Sequence, residues 1–448
     1  MKVLMSAFSC GPGQGSEPGV GWNMAVEVAR LGHEVVVLTQ TEFAVEIRQQ
    51  IASGALPPGL RFDIYMPPWL ARLRDFGFRC RQPALTWHLT SLLWQFCALR
   101  HVKRRYHNAG FNLIHHVTFA SIRHPTLLAF LNVPTVLGPL GGGDIIPLAL
   151  RRSFPWKYWL VELVRDVHNW SLRADPMTRA AFRRARIIFL RTDATIAAVP
   201  PRDRGKACIC VGLGVADVAT AEPVPRRADE PLRLLYAGGL LYLKGIHLGL
   251  RALAHARARG ADAALTIVGD GPVRADLERL TFQLGLSPYV TFRGHVTRDR
   301  LLLMYREHHV MLFPSLRDAG GMVVLEAWGQ ALPVICFGLG GPGQMVDETC
   351  GRVVAVTNRS EAECAIALGN EIVALAADDP MRLALGSAAL ARHRDFSWRQ
   401  IASRLYGEIE TRLQRRATDG TDALRRPDLQ QGGRNRPAAD VAGPGGRA

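Results

Sequence analysis

Short apolar runs alternate with amphipathic stretches along most of the chain. Residues 3–8 are mainly apolar, residues 20–31 carry apolar side chains at helical spacing, and residues 34–39 are again apolar and rich in valine. This order predicts a strand, a helix and a second strand parallel to the first, which is the repeating unit of an α/β fold. The same reasoning predicts further strands at 113–116, 135–138 and 186–190.

The alternation restarts after residue 231. Strands are predicted at 232–237, 265–268, 290–293, 310–313 and 333–337, and helices at 246–259, 273–284 and 322–330. We therefore predict an α/β protein with two Rossmann-like, doubly wound domains, residues 1–215 and 232–395, that face each other across a cleft. Ligands of such folds bind at the carboxyl ends of the strands, so the cleft is the expected ligand site.

Three segments lie outside this pattern. Residues 216–231 combine proline, arginine and acidic residues with few apolar ones, and they are predicted to be a linker. Residues 396–416 are expected to form a C-terminal helix that packs back on the N-terminal domain. Residues 417–448 are rich in Arg, Gly, Asp and Pro, a composition that predicts a disordered tail.

Composition narrows the class of protein. Of the 448 residues, 48% are hydrophobic and 21% are charged, as in globular proteins. Eight cysteines without a C-x-x-C pair exclude a disulfide scaffold and suit a reduced, cytoplasmic location. The apolar run at 3–8 is too short for a signal peptide, and the near-apolar stretch 85–99 is shorter than the ~20 residues of a spanning helix.

The charge indicates an anionic partner. The net charge of +16 suits a nucleic acid, a membrane surface or a phosphorylated substrate, and no helix-turn-helix, zinc-finger or RNP pattern supports nucleic acid. Residues 71–107 hold eight Lys or Arg against one acidic residue, and residues 151–191 hold ten against three, both interleaved with Trp and Phe. This mixture is typical of proteins that bind anionic headgroups. The alternative is a set of core aromatics beneath a solvated basic face.

The segment 237–245 is the first with candidate chemistry. A predicted strand ends in Gly238 and Gly239, and Lys244 follows shortly before a helix. Glycines let the backbone approach a phosphate closely, and a lysine supplies a point charge for it. The alternative is a tight turn with a solvated lysine.

The second candidate segment is 313–327. Asp318 follows a predicted strand, Gly320 and Gly321 open the next helix, and Glu326 lies about one turn inside that helix. Free N–H groups at a helix start favour an anion, and a carboxylate among apolar neighbours requires a partner such as ribose hydroxyls. The alternative is a helix-opening turn with a partly exposed glutamate.

Several motifs in order resemble glycosyltransferase family 4, whose members are retaining enzymes with the GT-B fold. Asp318 and Glu326 match the E-x7-E element, with Asp in place of the first Glu, and 239–245 resembles the G-R-L-x-x-x-K-G diphosphate motif. The resemblance covers residues 1–410 and is strongest over 235–345. The remaining matches are V-G-D-G-P at 268–272, V-x-F-x-G at 290–294, the strand 331–335 with Ala331 replacing a Gly, a glycine-rich loop at 338–343, G-x-E at 15–17 and G-H-x-V at 32–35.

The resemblance implies transfer of a hexose from a UDP- or GDP-linked sugar with retention of anomeric configuration. Lys244 would hold the diphosphate, Glu326 the ribose and Asp318 the donor sugar. The chain has no D-x-D, so no metal is expected, and no cofactor is expected besides the nucleotide sugar as co-substrate. The implied catalytic residues are Asp318, Glu326, Lys244 and His116, and the implied donor-binding residues are Gly238, Gly239, Lys244, Gly269, Gly271, Gly294, Gly320, Gly321, Met322, Val323 and Glu326.

One departure from the family pattern leaves alternatives open. The family has Arg five residues before the motif lysine, where this chain has Gly239. Loss of that cation motivates a second hypothesis, a catalytically weakened GT-B chain that acts as a binding or scaffold subunit. A third, an NAD-dependent oxidoreductase, requires G-x-G-x-x-G, and the spacing of glycines at 11, 13 and 15 breaks that motif.

The predicted N-terminal domain carries the candidate acceptor residues. His116 is assigned over His115 because it lies nearer the carboxyl end of its strand, and His124 is a weaker candidate; a core or surface histidine is the alternative. Asp144 ends a second glycine-rich loop, 138–144, which either lines the acceptor site or is only a turn. Gly15 and Glu17 belong to the first loop, where the carboxylate suits acceptor hydroxyls.

These observations together predict the biological setting. A basic, aromatic surface on the acceptor-binding domain suits a peripheral position on the inner face of the cell membrane. The expected acceptor is a lipid-linked saccharide, as used in exopolysaccharide or glycolipid synthesis.

Overall fold

The structure is a computed structural model that describes residues 1–79, 83–124, 126–172, 174–215, 221–227 and 229–423. Residues Met1–Tyr406 form one compact unit, and the described residues from Gly407 to Ala423 belong to a second. Both sheets described below belong to the first unit.

The first sheet contains seven parallel strands within the described residues, in the order β3-β2-β1-β4-β5-β6-β7. Its strands are β1 (Lys2–Ala7), β2 (Glu34–Thr39), β3 (Leu60–Ile64), β4 (Leu113–Thr118), β5 (Thr135–Leu140), β6 (Ala185–Leu190) and β7 (Ala207–Ile209). Its helices are α1 (Ser16–Arg30), α2 (Ala44–Ala52), α3 (Pro68–Arg79), α4 (Pro83–Arg105), α5 (Trp156–Ser171), α6 (Pro176–Arg184) and α7 (Asp193–Ile196).

The second sheet has six parallel strands over the ranges that the structure describes, in the order β10-β9-β8-β11-β12-β13. They are β8 (Leu232–Ala237), β9 (Ala263–Val268), β10 (Val290–Gly294), β11 (Val310–Phe313), β12 (Val334–Phe337) and β13 (Gly351–Val354). The helices are α8 (Ile246–Ala258), α9 (Arg274–Gln283), α10 (Arg298–Arg306), α11 (Met322–Trp328), α12 (Gly340–Met345), α13 (Glu361–Ala377), α14 (Asp379–His393) and α15 (Trp398–Ala423).

Both sheets are doubly wound, which confirms the predicted α/β fold. Strand order reverses between β1 and β4 in the first sheet and between β8 and β11 in the second. Such a reversal opens a crevice at the carboxyl ends of the strands, because the loops on its two sides diverge. The loops after β4, β8 and β11 are therefore the ones in position to line a ligand site.

Aromatic side chains of α4 form part of the core beside the first sheet. Trp94 has no exposed surface, its indole N–H donates to the carbonyl oxygen of Tyr65 at 2.8 Å, and its ring meets Phe8 edge-on at 5.2 Å. Trp87 also packs edge-on against Phe8, at 5.5 Å. For Trp94 of segment 71–107, the core alternative is therefore correct, and Trp87 is half-buried against the same core.

Contacts between the two sheet regions surround the crevice. Arg317, after β11, donates to the carboxylate of Glu162 on α5. The Tyr242 ring lies 4.5 Å from that of Tyr158, and the backbone N–H of Ser153 donates to Glu361 at 2.9 Å. Helix α5 and the residues just before it therefore form one side of the junction.

The start of α15 contacts the first sheet. The hydroxyl of Tyr406 lies 3.1 Å from Nδ1 of His115 in β4, and the two rings meet edge-on. Val215 forms an isolated bridge with Ser397, just before the helix. The first turns of the expected helix 396–416 thus lie against the N-terminal sheet.

The predicted linker and tail fall partly outside the description. Residues 216–220 and 228 of the linker, and 424–448 of the tail, lie outside the described residues. The described part of the linker packs on α13 and α14: Arg226 donates to the carbonyl oxygen of Ala376 at 2.8 Å, and Val224 accepts from Arg382 at 2.7 Å. Helix α15 continues to Ala423, into the stretch predicted as a tail, since extending a helix adds a hydrogen bond per residue.

Within the described residues, no helix is both long and apolar enough to cross a membrane.

The buried histidines of β4 predict how stability depends on pH. Burial lowers the pKa of His115 to about 4, and burial together with the neighbouring His115 lowers that of His116 to about 4. An unfolded histidine titrates near 6.5, so between pH 6.5 and 4 the unfolded chain binds more protons than the folded one. The free energy of unfolding is therefore expected to fall as the pH is lowered through this window, by up to about 1.4 kcal/mol per pH unit for each histidine.

Urea unfolding at a series of pH values measures this slope. His116→Asn keeps a polar atom near the hydroxyl of Ser6 and removes one titrating group, so its slope is expected to be smaller. His107→Asn, at an exposed position, serves as the control and leaves the slope unchanged. An equal slope in wild type and His116→Asn contradicts the assignment.

Candidate functional site

The glycines of the first candidate segment bring two loops into backbone contact. Gly238, directly after β8, has φ +148°, and a Cβ on Gly269 would lie 2.0 Å from the carbonyl oxygen of Gly238. A Cβ on Gly271 would lie 2.4 Å from the carbonyl oxygen of Leu240. Residues without a side chain are thus required where the loops after β8 and β9 cross. Gly239 differs, because a Cβ there meets nothing within 4 Å.

The structure joins the two candidate segments through an ion pair. Nζ of Lys244 donates to Oδ2 of Asp318 at 2.6 Å, and the two side chains are 18% and 21% exposed. The ammonium also lies 5.6 Å from the centre of the Phe313 ring. Residues that follow β8 and β11, neighbouring strands of the second sheet, therefore present one partly shielded charged pair at the sheet's carboxyl edge.

Asp318 also organises the turn before α11. Its Oδ1 accepts the backbone N–H groups of Gly320 at 3.0 Å and Gly321 at 2.9 Å. Burial favours the neutral acid, but the Lys244 charge and these hydrogen bonds outweigh it and hold the pKa of Asp318 below its usual value. The carboxylate is therefore ionised and oriented, and it occupies two N–H groups that the sequence suggested for a ligand.

Glu326 lies in the middle of α11, and Met322 and Val323 form the first turn of that helix, half-buried. The hydroxyl of Tyr305 lies 3.4 Å from Oε2 of Glu326. Burial raises the pKa of Glu326, while the charge of Arg298 and the Tyr305 contact act in the opposite sense. This carboxylate has one long hydrogen bond from a side chain, which leaves acceptor capacity for hydroxyl donors.

Gly294 closes the same edge of the second sheet. It ends β10 with φ +68°, and its carbonyl oxygen accepts the backbone N–H of Gly269 at 2.8 Å. The loops after β8, β9 and β10 are thus linked backbone to backbone. Glycine at 238, 269 and 294 is explained by this geometry, and their contact with a donor remains a prediction.

The histidines of β4 lie deeper than the sequence suggested. His116 has no exposed surface, and its Nδ1 lies 3.2 Å from the hydroxyl of Ser6. His124, on the loop after β4, is also buried and lies 3.0 Å from Nδ1 of His88 through its Nε2. Burial and nearby positive groups lower the pKa of His124 to about 4, so this ring is neutral. A substrate contact by His116 remains a prediction, and the structure does not bring it next to Lys244.

Glu17 is tied to the loop after β4 and to β6. Its Oε2 accepts the backbone N–H of Ala120 at 3.1 Å, and its Oε1 lies 3.7 Å from Nη2 of Arg191. Gly15, just before α1, is exposed and has no neighbour within 4 Å of a built Cβ. The carboxylate of Glu17 is therefore held toward the carboxyl edge of the first sheet, and Arg191 is a candidate site residue that sequence reasoning missed.

The loop 138–144 meets the second sheet region. A Cβ on Gly141 would lie 3.2 Å from Cβ of Ala319, next to Asp318, and 3.3 Å from Cδ of Arg191. Asp144 is buried, and its Oδ1 accepts from the hydroxyl of Thr192 at 2.6 Å. The structure thus brings this loop, Arg191 and the Asp318 turn together at one junction.

No group of three or more His, Cys, Asp or Glu side chains in the described part of the chain is arranged to hold a metal ion. The positive charge next to Asp318 comes from Lys244. The backbone N–H groups of Gly320 and Gly321 also donate to this carboxylate.

Comparison with known proteins supports a family assignment for the second half. Residues 231–376 match the family model for glycosyl transferases group 1. An uncharacterized glycosyltransferase of Methanocaldococcus jannaschii is 37% identical over 113 residues, which are 25% of this chain and 29% of that protein. A D-inositol 3-phosphate glycosyltransferase of Corynebacterium urealyticum is 30% identical over 240 residues, which are 49% of this chain and 55% of that protein. The matches span less than two thirds of the length of either relative.

The fold has a solved counterpart across both sheets. The crystal structure of Anabaena HepE in complex with UDP and glucose superposes with a TM-score of 0.54 and 14% identity, over 92% of this chain and 100% of that chain. At this identity the likeness concerns the fold. Residues 231–376 therefore resemble the group 1 glycosyl transferases, and the two doubly wound sheets have the GT-B fold of the solved structure.

Proposed function

We propose that the chain is a retaining, family 4-like hexosyltransferase that uses a UDP- or GDP-linked sugar as donor. The acceptor in this proposal is a lipid-linked saccharide of exopolysaccharide or glycolipid synthesis. The observation that carries the proposal is the Lys244–Asp318 pair at the carboxyl ends of β8 and β11. It joins the two segments that resemble the diphosphate and sugar motifs of that family.

The proposed donor site uses the residues around this pair. Lys244 binds the diphosphate and stabilises the charge that develops on it as the glycosidic bond to the leaving group breaks. Glu326 accepts from ribose hydroxyls, because the long hydrogen bond from Tyr305 leaves acceptor capacity on its carboxylate. Asp318 holds the ammonium in place and lies where the donor sugar is expected. The solved relative HepE was crystallised with UDP and glucose, which makes UDP the first probe to use.

The proposed reaction uses neither a metal nor a further cofactor. Lys244 supplies one positive charge near the diphosphate, and the hydrogen bonds from Gly320 and Gly321 keep its partner Asp318 ionised. A weakened transferase that acts as a binding subunit remains the second candidate, because Gly239 provides no cation. Position 239 separates the two candidates, since its surroundings accept a larger side chain.

Lys244→Met is expected to weaken UDP binding, because it removes the cation and keeps the aliphatic stem. A charge-assisted hydrogen bond contributes about 1.5–3 kcal/mol, so the loss is expected to be about tenfold or more. Titration calorimetry with UDP and GDP measures it. Lys157→Met, an exposed lysine on α5, is the matched control and keeps wild-type affinity. Equal UDP affinity in wild type and Lys244→Met refutes the proposed donor site.

Gly239→Arg is expected to strengthen donor binding and raise transfer. A built Cβ at 239 meets no atom within 4 Å, and φ there is not positive, so the backbone tolerates the change. A second cation near the diphosphate is expected to tighten UDP binding by about tenfold. Gly239→Ala adds the Cβ without charge and is the control. If Gly239→Arg binds UDP more weakly than Gly239→Ala does, the prediction is wrong.

We also propose that α5 lies on an anionic membrane surface. Its exposed side chains include one apolar stripe at helical spacing, with Trp156 71% and Trp170 69% exposed. The other exposed members of the stripe are Trp159, Leu160, Leu163, Val164 and Val167. Lys157 and Arg152 are exposed beside the stripe. Cations next to an apolar surface that contacts lipid interact with anionic headgroups. The stripe supports a peripheral site on the cytoplasmic face.

The stripe is unusual because four polar residues of α5 face inward. Glu162 and Asn169 are 3% and 4% exposed, and Arg165 and Asp166 are half-buried on the same side. A helix on the surface of a water-soluble protein normally has the opposite arrangement. An apolar outer face is stable where it meets lipid, which favours membrane contact over water exposure.

The double variant Trp156→Ser, Trp170→Ser is expected to reduce binding to vesicles. Two indoles are then lost from the interface, and the affinity for vesicles containing phosphatidylglycerol is expected to fall by about tenfold or more. Cosedimentation with these vesicles, and with phosphatidylcholine alone, measures the effect. Phe282→Ser on α9, where the ring is 77% exposed, is the control. If the double variant sediments with the vesicles to the same extent as Phe282→Ser, α5 does not contact the membrane.

A further inference from the structure

Three arginines converge on the inner face of α5. Arg123 comes from the loop after β4, Arg165 from α5 itself and Arg317 from the loop after β11. We refer to these three residues as the arginine cluster. Each is only half exposed or less, and each lies near the carboxyl edges where the loops of the two sheets meet.

Two members of the cluster are held by buried acceptors on α5. Arg317 donates to Oε2 of Glu162, whose side chain is 5% exposed. Arg123 donates through Nη2 to Oδ1 of Asn169. Glu162, Arg165 and Asn169 follow one another at intervals of three and four residues, so they share one face of the helix. This face therefore fixes guanidinium groups from both sheet regions at one place.

The cluster keeps donor capacity that the described part of the protein does not use. Nε of Arg123, Nε of Arg165 and Nδ2 of Asn169 are buried, and no described residue accepts a hydrogen bond from them. A buried donor without an acceptor costs about 1–3 kcal/mol, so such atoms mark a place where an acceptor is expected to bind. Several donors converging on one place suit a ligand with several acceptor oxygens.

The cluster also has more positive than negative charge. Glu162 is engaged by Arg317, and Asp166 on the same helix is engaged by Arg151, with 2.6 Å between Nη1 and Oδ2. Burial and then the charges of Arg317 and Arg123 lower the pKa of Arg165 to about 10, while Glu162 and Asp144 only partly oppose this. The charges of Arg317 and Arg123 repel that of Arg165, and a bound anion would relieve this repulsion.

Arg317 and Asp318 are consecutive residues that turn to different sides. Arg317 reaches Glu162 on α5, whereas Asp318 reaches Lys244 in the second sheet region. The cluster therefore lies beside the proposed donor site but on the side of the first sheet. Two of its three members, Arg123 and Arg165, belong to that region, which the proposed function assigns to the acceptor.

We propose that the arginine cluster binds a phosphate or diphosphate ester carried by the acceptor. This inference rests on the proposed transferase function and names the chemical group that its acceptor carries. Planar guanidinium groups bind phosphate oxygens in pairs, and oxygens of the ester would meet the unused N–H groups of Arg123, Arg165 and Asn169. The bound phosphate would place the acceptor saccharide next to Asp318 and the donor.

The phosphate has two possible sources, a lipid diphosphate in the membrane and a soluble sugar phosphate. Helix α5 separates the cluster from the apolar stripe by the width of a single helix. An acceptor anchored in a membrane beneath the stripe would reach the cluster with its headgroup phosphates. The same guanidinium groups would hold a soluble sugar phosphate, so experiment has to separate the two sources.

Titration with inorganic pyrophosphate, in the presence of saturating UDP, tests the site. Wild type is expected to bind pyrophosphate without displacing UDP. Arg165→Met is expected to bind pyrophosphate at least about tenfold more weakly and UDP unchanged, since no described residue accepts a hydrogen bond from Nε of Arg165. Arg186→Met, at an exposed position of β6, is the matched control and binds both ligands as wild type does.

A second variant guards against misfolding. Arg165→Lys keeps the charge but loses the planar set of donors, so its loss of pyrophosphate affinity is expected to be smaller than that of Arg165→Met.

A competition experiment then identifies the source of the phosphate. Displacement of pyrophosphate by farnesyl diphosphate in phosphatidylcholine vesicles supports a lipid acceptor, and displacement by glucose 1-phosphate supports a soluble one. Displacement by neither overturns the proposal, because an ester is then not accepted.

Two other outcomes are decisive. If pyrophosphate competes with UDP, and its affinity is the same in wild type and Arg165→Met, the cluster is not the acceptor site. If wild type does not bind UDP, the proposed use of a UDP-linked donor is refuted. If pyrophosphate binding still depends on Arg165 in that case, the cluster remains an anion site. Failure of the inference and failure of the proposed function are thus distinguishable.

Discussion

The parallel arrangement of both sheets is the constraint on which the candidate site depends. Every strand of a parallel sheet ends at the same edge, so loops far apart in the sequence leave the sheet side by side. Lys244 and Asp318 meet in this way, because β8 and β11 are neighbours although 74 residues separate the two side chains. The ion pair then fixes the turn before α11, since one oxygen of Asp318 holds the ammonium and the other accepts two backbone N–H groups.

Helix α5 shows how one element can serve two environments. Its buried face carries Glu162, Arg165 and Asn169, which no ordinary core would contain without partners, and its exposed face carries tryptophan, leucine and valine. The buried charges are tolerated because residues from other loops bind them, as Arg317 binds Glu162. The side chains that attach α5 to the second sheet region are also those proposed to bind an anion. The stability of this attachment and the binding of the anion therefore depend on the same residues.

The sequence was informative where the structural signal is local. The inner strands β1, β8 and β11 are mainly apolar, because helices cover both faces of a parallel sheet, and these three strands and β4 were predicted. Strands β3, β7 and β13 were missed. Each is an edge strand, paired on one side only and partly exposed, so its composition differs little from that of a loop.

The candidate site was predicted in parts and assembled only by the tertiary structure. Glycine pairs with a lysine or a carboxylate nearby are recognisable in one short segment, which is why Lys244 and Asp318 were identified. Arg123, Arg165 and Arg317 come from two loops and a helix, and no spacing in the sequence links them. The depth of His116 was also unpredictable, because the position of a residue along a strand does not reveal how completely the covering helices exclude solvent.

The contact between Tyr406 and His115 has a consequence for synthesis of the chain. Tyr406 completes the surroundings of a strand made almost three hundred residues earlier, with its hydroxyl on His115 and its ring 5.0 Å from that of His33. A nascent chain emerges from the ribosome with its N-terminus first, and domains generally fold in that order. The first sheet therefore remains without this cover while the whole second sheet is translated. His115 and His33 therefore gain the cover of Tyr406 only after both sheets have been translated.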